Sequence, residues 1–236
     1  MIDTIYFDNW NTLVTAPALM RKGSSTRVFK EYINSQGHQV PDTFLDIYSL
    51  IAKAQEVKAE QEGHREPDYR QRLEDVFRAL GLPDPEDLSH GTWDNYLKMW
   101  PEQTEYFSGV PEMLEELKKS YKLGVITNYM DGPTCRDVFE KLGYNGIFDS
   151  LVVSKELGYV KPAQILFETA LEETGSKPEN SVMVGDTYAA DVVGGNISGM
   201  KTVLVDIYNN QQDHYGEASA VINKITEFPD ALLDLL

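Results

Sequence analysis

A chain of 236 residues, 42% hydrophobic and 25% charged, has the makings of an ordinary globular protein with a sizeable core. Its net charge of -17 lacks the basic footprint that nucleic acids and anionic membranes require, so neither is expected as a partner. A single cysteine, Cys135, excludes an internal disulfide, no apolar run reaches the roughly 18 residues of a bilayer span, and the opening MIDTIYFDNW has no basic signal region; the cytoplasm is the expected location.

The first predicted element is TIYFD (4–8), a β-prone run that ends on a carboxylate and leads into Asn9-Trp10-Asn11-Thr12. The pattern then changes. From about 16 to 100 there is no strand-like run but four helical periodicities, 17–36, 43–62, 67–80 and 85–99, parted by SQGHQVPD, EGHREPD and LGLPDPED. Beyond 101 come KLGVITN (122–128), DSLVVS (149–154), SVMVGD (181–186), KTVLVD (201–206) and SAVIN (219–223). Helical patterns at 112–120, 131–142, 164–173 and 228–236 alternate with them. Such alternation predicts an α/β fold with a parallel sheet covered on both faces. Residues 1–15 and 101–236 form that core, and 16–100 form an all-helical module inserted after the first strand, because a single crossover of that length is implausible.

In an open parallel sheet, ligands sit beyond the carboxyl ends of the strands. The polar residues there are Asp8, Thr127-Asn128 and Asp186, with Asp191 five residues further along in GDTYAAD. Taken singly, Asp8 and Asp186 read equally well as helix N-caps. Taken together on one sheet edge, two carboxylates repel unless a cation neutralises them, and oxygen donors of this kind suit Mg²⁺. Lys161, in SKELGYVKP, is a positive charge that this edge needs, although a lone lysine is more often solvated.

Asp8 after strand one, Thr127 after an apolar strand, Lys161-Pro162, and GDTYAAD with Asp186 and Asp191 resemble the four ordered motifs of the haloacid dehalogenase-like hydrolase superfamily. The helical module resembles that family's cap, inserted between motifs one and two, on a Rossmann-like core. The resemblance implies that Asp8 is the nucleophile, that Thr127 and Asn128 hold the phosphoryl group, and that Lys161 neutralises both nucleophile and substrate. It further implies a Mg²⁺ ion held by Asp8, the backbone carbonyl of Trp10, Asp186 and Asp191. The implied activity is a phosphatase acting on a small phosphorylated metabolite through an aspartyl-phosphate intermediate.

Trp10 departs from the pattern. The family's phosphatases carry a second Asp there, which protonates the leaving oxygen and later activates water; an indole N–H does not titrate and cannot do this. Asn11 stands where the family commonly has Gly, and Asn tolerates positive φ well. Three routes stay open for a phosphatase: substrates with good leaving groups such as acyl or aryl phosphates, a proton from His38, His64 or Asp68 in the helical module, or slow turnover. Beside these stand a metal-free 2-haloacid dehalogenase, whose family members carry an aromatic residue at this position, and a catalytically weak binding or regulatory member. A phosphonatase-like Schiff base would need a lysine such as Lys53 or Lys58, both expected on solvated faces. Arg21 and Arg65 are candidate substrate ligands, and each reads as readily as a surface arginine.

Overall fold

The computed structural model describes every residue except Met20, Lys22 and Asn145. The chain divides into two compact units, Met1–Thr15 with Glu105–Leu236, and Ala16–Thr104.

Strand β1 (Thr4–Phe7) is buried at all four positions, as a central strand covered on both faces must be. A short β2 (Val14–Thr15) follows before the chain leaves the first unit. The second unit is all-helical: α1 (Ser24–Ser35), α2 (Phe44–Gln61), α3 (Tyr69–Ala79), α4 (Pro85–Leu97) and α5 (Trp100–Gln103). The first expected helix, 17–36, begins only at Ser24, because Gly23 adopts a left-handed φ of 79° that no helix interior accepts; within that span Met20 and Lys22 lie outside the described residues. This unit's core is aromatic. Phe29 meets Tyr96 edge-on at 5.1 Å, and Tyr69 stacks on Trp93 at 5.2 Å. Arg72 is buried beside them, its guanidinium 5.0 Å from the Tyr69 ring and its Nε donating to Gln55 Oε1 at 2.9 Å.

The chain re-joins the first unit through β3 (Glu105–Tyr106), which pairs antiparallel with β2. The remainder alternates: α6 (Val110–Lys118), β4 (Lys122–Thr127), α7 (Gly132–Lys141), β5 (Ser150–Val153), α8 (Ser154–Leu157), α9 (Gln164–Thr174), β6 (Ser181–Gly185), α10 (Val193–Ile197), β7 (Lys201–Val205), β8 (Ala220–Ile222) and α11 (Phe228–Leu233). The six strands expected from the sequence form one parallel sheet in the order β5-β4-β1-β6-β7-β8, the Rossmann-like architecture anticipated for this unit. No described helix is long and apolar enough to cross a membrane.

The sheet order places β1 between β4 and β6, so three strand ends meet at its centre. Tyr6 pairs in register with Gly124, and its ring lies where a side chain at 124 would stand: a Cβ there would come within 2.6 Å of Tyr6 Cδ1. The Tyr6 hydroxyl reaches Thr174 at 2.5 Å and donates to the Ala170 carbonyl at 3.1 Å, which ties β1 to α9. Around it pack Ile126, Val152, Leu166, Phe167 and Met183.

Gly124→Val sets a strand-propensity gain of up to about 1 kcal/mol against overpacking that typically costs about 1–3 kcal/mol. Overpacking should win, and a chemical-denaturation curve should show a net loss of stability; an unchanged midpoint would contradict this packing.

Candidate active site

Asp8 is the first residue past β1, and its N–H continues the ladder by donating to the Val184 carbonyl at 2.8 Å. The chain then folds back at once. Leu13 and Val14 donate to the Asn9 carbonyl at 2.9 and 3.0 Å, while Asn11 donates to Val14 at 2.9 Å. Asn11 has φ of 57°, the left-handed conformation expected of a residue standing in for glycine. Its side chain bonds Asp186.

Lys161 lies at the centre. Its side chain is 2% exposed, and Nζ donates to Asp8 Oδ1 at 2.6 Å, to Asp191 Oδ1 at 2.7 Å and to the Ile126 carbonyl at 2.7 Å, using all three ammonium hydrogens. Its own N–H donates to Asn128 Oδ1 at 2.8 Å, so Asn128 orients the lysine. Burial alone would push the Lys161 pKa down, but the charges and hydrogen bonds of Asp191 and Asp8 outweigh that, and the net shift is upward. This lysine is a fixed cation.

Asp191 comes from a π-helical turn, Tyr188–Val192, immediately after β6. Its Oδ2 accepts from Thr187 N–H at 3.0 Å and its N–H donates to the Thr187 carbonyl at 2.8 Å, which closes the turn. The carboxylate rests against Gly185; any Cβ there would occupy the same space, so the strand must end on glycine. Asp186, the next residue, accepts from Thr187 Oγ1 at 3.2 Å.

Oxygen atoms of Asp8, Asp186 and Asp191 all lie within 4.8 Å of one another. Burial first, then Asp191 and Asp186, push Asp8 up to about 7 despite the pull of Lys161. Burial and Asp191 likewise raise Asp186 to about 6. Three carboxylates against one ammonium leave two uncompensated negative charges in a largely buried, all-oxygen site. That donor set and that charge fit a hard divalent cation.

Asp8, Trp10, Asn128, Lys161, Asp186 and Asp191 line one pocket of about 150 Å³. Thr127 adjoins it in sequence, fully buried, with no hydrogen-bond partner for its hydroxyl among the described residues. Trp10 stacks on the buried Tyr129 ring at 5.5 Å and 29°.

Two features escape a sequence reading. One is Tyr129. The other is Gln211, whose side-chain amide donates to the Asp186 carbonyl at 2.8 Å and accepts from Tyr188 N–H at 2.9 Å, bracketing the Asp186 loop. Asp206 holds Gln211 in turn, accepting its N–H at 3.0 Å and the Tyr215 hydroxyl at 2.8 Å. A polar stretch past a strand carries no sequence signal for such a clamp.

The helical unit's candidates fare differently. Asp68 is the N-cap of α3, accepting from Arg70 and Gln71 N–H at 3.1 and 3.0 Å. Lys53 and Lys58 are exposed on α2, as expected, with Lys58 3.8 Å from Glu62. Arg65 is exposed, and Arg21 lines a 220 Å³ crevice with Arg27. His38 and His64 are half-buried in the loops that follow α1 and α2.

The chain is 37% identical over 134 residues to the glyceraldehyde 3-phosphate phosphatase of Methanothermobacter thermautotrophicus, an alignment covering 53% of this chain and 58% of that one. It is 30% identical over 217 residues to the ribulose-1,5-bisphosphate 5-phosphatase of Halopiger xanaduensis, covering 87% and 85%. A 2-haloacid dehalogenase from Pseudomonas syringae shares the fold along the full length of both chains, with a TM-score of 0.77 at 23% identity. Residues 41–205 match the sequence profile of the haloacid dehalogenase-like hydrolases. With this match and the near full-length relative, the chain belongs to the haloacid dehalogenase-like hydrolase family.

Proposed function

We propose that the protein is a cytoplasmic, Mg²⁺-dependent phosphatase that acts on a small phosphorylated metabolite through an aspartyl phosphate on Asp8. The observation that carries this reading is the buried Lys161 ammonium bridging Asp8 and Asp191, with Asp186 close by and charge left over for a cation. The two sequence relatives, named as phosphatases of glyceraldehyde 3-phosphate and ribulose 1,5-bisphosphate, support phosphate hydrolysis on a small molecule. The helical unit Ala16–Thr104 takes the part of the family's cap and selects the substrate.

In this mechanism Asp8 attacks phosphorus, and the bond to the leaving oxygen breaks as the new acyl-phosphate bond forms. Asp8 has one oxygen held by Lys161, which fixes the direction of the other. Lys161 stays protonated throughout and counters the charge on the phosphoryl oxygens. The buried Thr127 hydroxyl, without a partner among the described residues, binds one of those oxygens, and Asn128 holds Lys161 in place. Asp8, Asp186 and Asp191, with the Trp10 backbone carbonyl, would hold Mg²⁺. When bound, the ion supplies the missing positive charge, keeps Asp8 anionic and acts as a Lewis acid on the phosphoryl group. Gln211 steadies the Asp186 loop from outside. Water then hydrolyses the acyl phosphate, which releases orthophosphate and restores the Asp8 carboxylate.

Release of phosphate from a panel of phosphate esters should require Mg²⁺ and should fall by at least about 10³-fold in Asp8→Asn, as expected on losing a covalent nucleophile. Chloride release from 2-chloropropionate in the presence of chelator would overturn the reading in favour of a dehalogenase.

The raised pKa values of Asp8 and Asp186 also predict how stability depends on pH. Both bind protons more tightly folded than unfolded, so their contribution is complete below about pH 4 and is lost as the pH rises through about 6 to 7. The metal-free protein should therefore melt lower at about pH 8 than at about pH 5, and Mg²⁺ should raise the midpoint more at the higher pH. The carboxylates with lowered pKa values, Asp149, Asp206 and Glu217, act in the acid range and do not mask this window. Thermal melts of the wild type and Asp8→Asn, with and without Mg²⁺, check the sign; an equal Mg²⁺ effect at both pH values would contradict it.

A further inference from the structure

Covalent transfer to Asp8 leaves one question open: where the leaving oxygen obtains a proton. Among the described residues, the titratable groups lining the pocket are Asp8, Lys161, Asp186 and Asp191. Asp8 is the attacking group, and Lys161 spends its three hydrogens on Asp8, Asp191 and the Ile126 carbonyl. Both oxygens of Asp191 are engaged, one by Lys161 and one by the Thr187 N–H. Asp186 completes the carboxylate cluster that could hold a cation. The other lining side chains, Trp10, Asn11, Asn128, Thr187 and Ala190, give up no proton near neutrality.

Trp10 adds a second constraint. Trp10 lines the pocket, and its ring stacks on the Tyr129 ring at 5.5 Å. Such a pair adds about 0.5–1.5 kcal/mol to ordinary burial and holds the ring in place. A residue at this position that cannot give up a proton leaves a developing alkoxide with its full charge, because an indole N–H can donate a hydrogen bond but does not transfer its hydrogen. A carboxylate or phenolate leaving group spreads its charge and leaves without protonation; their conjugate acids have pKa values near 4 and 10.

Building on the phosphatase reading, we infer that Trp10 backed by Tyr129 restricts this site to phosphates of acidic leaving groups, that is acyl, enol or aryl phosphates, whose leaving oxygen departs as the anion. In the transfer step the Asp8 oxygen bonds phosphorus, the bond from phosphorus to the leaving oxygen breaks, and its electron pair goes with the leaving group. The departing anion takes any proton from bulk water afterwards.

The test is a series of substituted aryl phosphates and acetyl phosphate, with kcat/KM in saturating Mg²⁺ plotted against the pKa of the leaving group. This parameter reports the first irreversible step, which includes loss of the leaving group. The wild type should lose more than about threefold in kcat/KM for each unit by which the leaving-group pKa rises, as expected where no general acid assists. A shallower slope means that a proton donor acts on the leaving oxygen, from the helical unit or elsewhere, and overturns the inference while the phosphatase reading stands. Release of phosphate from sugar phosphates but from none of this series overturns the inference alone, and release from no phosphate ester at all removes both. Trp10→Phe should keep the steep slope, and Trp10→Asp should flatten it by accelerating the poor substrates. A Trp10→Asp protein that binds Mg²⁺ yet keeps the wild-type slope would contradict the role given to position 10. Should that variant fail to fold, the wild-type slope decides alone.

Discussion

The structure of the site depends on one buried cation. Lys161 reaches a carboxylate 153 positions earlier and another 30 positions later, and both contacts are shorter than 2.8 Å. Neither carboxylate would be tolerated at that depth alone, since an unpaired buried charge costs several kcal/mol. The lysine is equally dependent on them. Its removal would leave three acidic groups crowded within 4.8 Å, and theirs would leave an ammonium group with one carbonyl for company. The same arrangement leaves an excess of negative charge, and so the electrostatics that stabilise the pocket also suit it to a divalent cation.

The fold brings these groups together by strand order. β1 lies between β4 and β6, so the ends carrying Asp8, Thr127 and Gly185 are adjacent although far apart in sequence. Small residues make the approach possible. Gly124 admits the Tyr6 ring, which anchors β1 to α9, and Gly185 admits the Asp191 carboxylate. The β2–β3 pair joins the two points where the chain leaves and regains the sheet unit, so the helical insertion need not disturb the register of β1.

Much of this was legible from residues alone. Apolar runs bounded by turn residues mark all six strands, because a strand buried on both faces reads as continuous hydrophobicity. A carboxylate at a strand end marks Asp8, and Asn at position 11 announces its positive φ. What could not be read depends on contacts between distant polar segments. The clamp of Gln211 on the Asp186 loop, the Asp206 bonds that hold it, and the Tyr129 ring behind Trp10 are set by how loops close around the sheet, which no periodicity encodes. The first helix of the insertion is shorter than its periodicity predicts because the left-handed turn at Gly23 overrides the helical pattern before it. Asp68 turned out to do what an Asp before a helix most often does, which is to cap it.

The central claim is that Asp8 carries the phosphoryl group. It is tested most directly by mixing enzyme, Mg²⁺ and a reactive phosphate such as acetyl phosphate, quenching in acid within milliseconds, and mapping the added mass by peptide mass spectrometry. The account predicts one phosphoryl group on the peptide containing Asp8, absent when Mg²⁺ is chelated. Turnover with no label on that peptide at any quench time, or with the label on another residue, would contradict it.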